Sequence, residues 1–321
     1  MAAATPSYRT RRQALLGMGS VLASGPSLAR PLSPAMPAKC AGAFVDWGTG
    51  GRETNLRLWE ASLRQPASSV PAIDFYGQAT WDDFRQFAWL PAFWAKANPR
   101  RKLVWSIPLT VAGTDLIAVG EGLHDEPFRV AVQAIAESQP EAAIRIGWEM
   151  NVAGSLWLAA NRERDYIRAY RHVVQLFRQA SSRFRFDWCP GWGAQAMPAD
   201  QAYPGDDVVD VVGLDIYDFG SEREAEARWK AEDLEGPFGL TWHQAFARRH
   251  RKLMSYPEWG VGQSGDNPVF VQRMADWLLQ HSDEIAYALY FNVDGAWPTR
   301  IDNGRFPRSA DTLRERFSGR G

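Results

Sequence analysis

The sequence predicts an α/β chain folded as a (β/α)8 TIM barrel with a single domain. Three observations point there. Eight short apolar or β-branched runs recur along the chain, segments with helical period lie between them, and neither an internal repeat nor a second domain breaks the alternation. At 321 residues the chain can bury on the order of 75% of its extended surface without staples.

The first forty residues precede this pattern. Arg11-Arg12 stand before an apolar stretch from Ala14 to Ala23, which is too short to span a membrane. Ser27-Leu28-Ala29 offers small residues for cleavage, so 1–29 is expected to be a twin-arginine-type export signal and 30–40 a linker. Export machinery is the partner this implies, with a periplasmic or extracellular destination. Residues 41–321 then form the catalytic barrel, expected to be monomeric and free of the membrane once the signal is cleaved.

The strands are expected at Ala41–Trp47, Ala72–Tyr76, Leu103–Pro108, Ala143–Trp148, Phe184–Cys189, Val208–Ile216, Lys252–Pro257 and Ala286–Phe291. Several are nearly continuous in hydrophobicity, as strands buried on both faces are. Helical stripes lie between them: Leu56, Trp59 and Leu63; Tyr166, Tyr170, Val173, Val174 and Phe177; Phe270, Met274, Trp277 and Leu278. The stretch from Cys189 to Val208 is rich in Gly, Pro and Asp, so its helix is short or missing. A last helix lies around Leu313 to Phe317.

Composition excludes several functions. The 36 basic residues nearly balance the 37 acidic ones, so neither nucleic acid nor an anionic membrane is a partner by bulk charge. Gly48-Thr49-Gly50-Gly51 lacks the pattern of a phosphate loop or a dinucleotide fingerprint. The five histidines form no metal-ligand pair, and no nucleophile elbow of the G-x-S-x-G type occurs. No metal and no cofactor are expected. Cys40 and Cys189 fall at opposite ends of the predicted barrel, too far apart for a disulfide. The outlier is tryptophan, at 15 residues, whose indole faces suit sugar rings as well as cores.

Catalytic groups of a barrel sit at the carboxyl ends of strands. Glu149 ends the fourth predicted strand and Glu258 the seventh, so their tips face each other across the mouth. Two carboxyls so placed suit glycoside hydrolysis, one protonating the leaving oxygen and the other attacking the anomeric carbon. Trp47, Trp105, Trp148, Trp157, Trp192, Trp259 and Trp297 all lie at or just past predicted strand ends, and at least three are expected to line the cleft. Asn151 and Asn292 are candidates for hydrogen bonds to sugar. Asp215 lies two residues before Tyr217 and so on the same strand face, placed to contact sugar or to orient that tyrosine.

These residues resemble glycoside hydrolase clan A, and within it family 26, the β-mannanase and β-glycanase family. Gly147-Trp148-Glu149-Met150-Asn151 is similar to that family's His-Glu-Met-Asn segment, with Trp157 following at about the expected place. The run from Tyr203 to Tyr217 resembles its sixth-strand signature, Pro257-Glu258-Trp259-Gly260 its nucleophile strand, and Tyr290-Phe291-Asn292 its eighth-strand ending. The resemblance implies Glu149 as acid/base, Glu258 as nucleophile and Tyr217 as the hydroxyl that steadies it. It implies an exported retaining endo-β-glycosidase acting on mannan, β-glucan, β-xylan or an exopolysaccharide. Trp148 stands where the family has histidine, which implies a divergent member. Two other readings share the cleft: a non-catalytic polysaccharide-binding barrel, and a transglycosylase using the same pair.

Overall fold

The computed structural model describes residues 41–219, 224–295 and 297–318. The proposed export signal, the linker and Cys40 lie outside the described residues.

Eight parallel strand positions close into a ring. They are β1 (Gly42–Val45), β2 (Ala72–Phe75), β3 (Leu103–Ile107), β4 (Ala143–Ile146), β5 (Arg185–Trp188), β6 in two runs (Val211–Gly213 and Ile216–Tyr217), β7 (Leu253–Gly260) and β8 (Ile285–Asn292). Each pairs with its sequence neighbour, and Gly42 of β1 pairs with Leu289 of β8 to complete the circle. Both runs of β6 pair with β7, through Val211↔Leu253 and Ile216↔Trp259. The sequence suggested one sixth strand from Val208 to Ile216. Instead it breaks at Leu214-Asp215, where the Asp215 amide bonds to the Pro190 carbonyl of the loop after β5.

The surrounding helices are α1 (Arg52–Ser62), α2 (Trp81–Gln86), α3 (Leu90–Ala97), α4 (Leu116–Gly120), α5 (Asp125–Ser138), α6 (Glu163–Ala180), α7 (Ala225–Arg228), α8 (Leu240–Arg249), α9 (Pro268–Gln280) and α10 (Pro307–Phe317). All five residues of the Tyr166–Phe177 stripe are buried on α6. Between β5 and β6 stands only a 3-10 turn, Ala199–Ala202, as that Gly- and Pro-rich stretch suggested.

Two apolar layers result. The larger lies between strands and helices. The smaller fills the barrel, where Ile73, Val104, Tyr287 and Leu289 pack with Phe44 and Phe75. Strand alternation explains the division: Ile73 and Phe75 point inward, while Asp74 points out and accepts hydrogen bonds from Trp94 of α3 (2.9 Å) and Arg52 of α1 (2.8 Å). Above the inner apolar floor the barrel carries a polar layer, and this layer holds the candidate site.

Candidate active site

Glu149 sits on a sharp turn immediately after β4. Gly147 and Glu149 both take left-handed backbone angles, with φ of 51° and 52°. At Gly147 a Cβ would stand 2.9 Å from the Leu109 Cβ, so the turn needs glycine there. At Glu149 the same conformation costs a non-glycine residue about 1–3 kcal/mol, so its surroundings must hold it. They do: the Glu149 amide bonds to the Cys189 carbonyl (2.7 Å), and the Tyr166 hydroxyl to the Gly147 carbonyl (3.0 Å). The Trp157 indole N–H donates to the Trp148 carbonyl.

Glu258 lies within β7, which runs further than the sequence suggested. Ser255 faces the interior and donates to Asp187 (2.5 Å), whereas Tyr256 faces the helices and accepts from Trp277 (2.7 Å). In a regular strand Pro257 and Trp259 would join Ser255 inside. A register shift between Tyr256 and Trp259 adds one residue, so Glu258 turns inward instead. Trp259 turns outward, buried against Tyr290 and Phe317. Its expected contact with sugar is therefore replaced by a place in the outer layer.

Beside Glu258 lies Arg145, a residue the sequence reading passed over. Its side chain is fully buried inside the barrel. It donates to Glu258 Oε1 (2.7 Å) and Ser106 Oγ (3.1 Å), and it pairs with Asp215. Its guanidinium carbon lies 5.0 Å from the centre of the Trp148 ring. Tyr217 donates to the other Glu258 oxygen, Oε2, at 2.6 Å. Glu258 thus receives one charged and one neutral donor. Burial works against the Arg145 charge, but Asp215 and Glu258 outweigh it and hold the guanidinium firmly protonated.

Glu149 meets the opposite environment. It is half-buried, and no hydrogen-bond donor among the described residues reaches its carboxyl. Burial and the negative charge of Glu258 push its pKa up to about 7, against the attraction of Arg145. Burial also raises Asp215 well above the usual carboxylate range despite its pairing with Arg145. One cation therefore faces three carboxyls here.

The other expected site residues divide into two groups. Trp148, Trp192 and Trp297 stand half-buried at the mouth, with Trp297 edge-on to Phe219 (4.5 Å) and to Tyr217 (6.2 Å). Asn151, Trp157 and Asn292 are buried instead. The Asn151 amide exchanges two 2.8 Å hydrogen bonds with the Gly191 backbone, and Asn292 bonds to Asp302 and to the Ile301 amide. Their polar atoms hold loops together. Trp105 likewise faces the helices, donating to Gln139 at 2.7 Å.

Asp187 also escaped the sequence reading. It accepts from Ser255 and from Tyr287 beneath the site, and burial pushes its pKa up to about 6. Among the described residues no cluster of three metal-ligating side chains occurs, and no helix is long and apolar enough to cross a membrane.

The architecture has counterparts among solved structures. The barrel fold resembles that of endo-β-1,4-mannanases. An endo-β-1,4-mannanase double mutant from Cellulomonas fimi shares 20% identity at a TM-score of 0.55, over 74% of this chain and 58% of its own. This chain therefore spans less than two thirds of that protein. The mannanase of Bacillus subtilis shares 15% identity at 0.55, over 87% and 85% of the two chains. A β-mannanase from a symbiotic protist of the termite Reticulitermes speratus, complexed with gluco-manno-oligosaccharide, shares 14% at 0.59, over 89% and 93%. At such identities the likeness is one of fold. No protein-family model matches the chain, and no curated protein does.

Proposed function

We propose that this protein is a retaining glycoside hydrolase that cleaves internal β-glycosidic bonds of a polysaccharide, with Glu149 as acid/base and Glu258 as nucleophile. The observation that carries the reading is the contrast between the two carboxyls at one barrel mouth. Glu258 is held by Arg145 and Tyr217, whereas Glu149 has no donor and is raised to about 7. Two carboxyls in such different surroundings suit the separate roles of acid and nucleophile.

In the first step a Glu258 carboxylate oxygen attacks the anomeric carbon as the bond to the leaving oxygen breaks. The Glu149 proton passes to that oxygen. In the second step Glu149 takes a proton from water, whose oxygen attacks the same carbon and releases Glu258. Two inversions give net retention. Arg145 and Tyr217 keep Glu258 in position and balance its charge before and after the covalent stage. The half-buried indoles of Trp148, Trp192 and Trp297 offer faces for sugar rings. The candidate substrates are mannan, β-glucan, β-xylan and a bacterial exopolysaccharide. Arg11-Arg12 and the apolar stretch after them support export to the periplasm or beyond.

Reducing-sugar release from a panel of these glycans tests the proposal. The expected result is release by the native chain, loss in Glu258→Ala and Glu149→Ala, and products whose anomeric configuration matches the substrate by proton NMR. Release that persists in Glu258→Ala would overturn the assignment.

A further inference from the structure

Only two aromatic side chains stand among the exposed large hydrophobic residues described: Trp47, 36% exposed, and Trp89, 52%. They come from separate segments, the loop after β1 and the turn before α3, yet their ring centres lie 5.5 Å apart. Exposed apolar patches of this kind mark binding surfaces more often than isolated side chains do.

The pair is built rigidly. Phe93 of α3 packs 5.0 Å from Trp47 and 5.7 Å from Trp89. The Arg52 guanidinium lies over the Trp47 ring at 5.2 Å and is itself fixed to the buried Asp74. The loop after Trp47 is seated on Asn55, where a Cβ on Gly48 would stand 2.4 Å from the amide nitrogen. A ring pair ordered before binding loses little freedom when a ligand arrives.

The pair is also continuous with the candidate active site. Trp148, next to Glu149, packs edge-on to Phe75 (5.5 Å), and Phe75 to Phe44 (4.9 Å). Arg52 then bridges Phe44 (4.6 Å) and Trp47. A half-buried ribbon of rings thus leads from the acid/base along the β1–β2 side of the mouth to the exposed tryptophans.

Charge narrows the ligand. Arg52 is paired with Asp74, and Arg300 with Asp46 and Asp302 at 2.8 and 2.7 Å. Both guanidinium groups are already matched by carboxylates, so neither is free to take a uronate or sulfate. It offers flat apolar faces with a rim of paired polar groups, which suits neutral pyranose rings.

We propose that Trp47 and Trp89 form a remote subsite for neutral sugar units of the same glycan chain whose cleaved bond lies at Glu149 and Glu258. This rests on the hydrolase reading above and adds the direction and chemistry of substrate binding.

The test uses calorimetric binding of β-1,4-manno- and β-1,4-gluco-oligosaccharides, from disaccharide to hexasaccharide, to the inactive Glu258→Ala protein. Adding Trp47→Ala and Trp89→Ala should weaken the hexasaccharide by about tenfold, the loss expected for truncating an aromatic anchor. The disaccharide should change by less than about twofold, the Trp47→Phe variant should restore much of the loss, and Leu123→Ala should serve as the neutral surface control. Equal losses for all lengths, or none, in a protein whose native form cleaves these glycans would overturn the remote subsite alone. So would a self-associating chain whose dimer, but not glycan affinity, is lost with the two tryptophans. A native chain that neither binds nor cleaves any glycan of the panel would overturn both readings.

Discussion

Ser255 and Glu258 stand three residues apart on one strand, and both point into the barrel. That parity is impossible in a regular strand, and the one-residue bulge between Tyr256 and Trp259 supplies the odd step. The bulge decides at once that Glu258 reaches Arg145 and that Trp259 leaves the cleft for the outer layer.

The hydrogen bond from Tyr217 to Glu258 should matter to catalysis more than to folding. Tyr217→Phe removes one donor from the proposed nucleophile and keeps the ring packed on Phe219. We expect kcat/KM to fall about 10²-fold, the cost of losing one preorganised donor, with thermal unfolding little changed. Steady-state kinetics beside a melting curve would check this.

On the proposed mechanism Glu149 sets the alkaline limb of activity. Its pKa is raised to about 7, so the proton it must donate is present below that pH and lost above it. Hydrolysis should decline as pH rises through about 7. Because Glu258 contributes to the upward shift, Glu258→Gln should lower the Glu149 pKa, measurable by carbon-13 NMR of the labelled carboxyl. An unchanged value would mean that burial alone sets it.

Arg145→Met leaves Asp215 and Glu258 facing one another in the barrel without their shared cation. Breaking a buried ion pair from one side costs about 3–5 kcal/mol, so denaturant unfolding should show a loss of that order. Arg145→Lys should recover only part of it, since a point charge cannot serve both carboxylates as a planar fork does.

Asp187 makes stability depend on pH in a defined direction. Its folded pKa, about 6, lies above the ordinary 3.8, so the unfolded chain releases this proton first as pH rises. Its contribution is full below the ordinary value and lost as pH climbs through about 6, a span of about 3 kcal/mol. Asp187→Asn should flatten that part of the curve. Urea midpoints from pH 4 to 8 would show whether it does.

The eight strands were legible because each is a short apolar run bounded by turn residues, such as Leu103–Ile107 and Ala143–Ile146. That Glu149 and Glu258 reach one mouth could be read from the predicted strand ends, although Glu258 turns inward only through the bulge. Arg145 could not, because its value lies in partners 70 and 113 residues away. Its one local signal was a charge inside the apolar run Ala143-Ile144-Arg145-Ile146. The fates of Asn151, Trp157 and Trp259 were illegible for a related reason. Type and proximity to a strand end suggest a sugar contact, but bulges and loop-to-loop bonds decide which way a side chain turns.

The turn that carries Glu149 belongs mechanically to its neighbour. Its amide hangs from Cys189, Asn151 is clasped to Gly191, and the Ala196 amide returns to the Asn151 carbonyl. The Glu149 carboxyl therefore rides on the segment after β5 as much as on the strand that precedes it. A lengthened or loosened Pro190–Ala196 segment would shift the Glu149 carboxyl without touching it, and through the Asp215 amide on Pro190 it would also reach the carboxylate that pairs with Arg145.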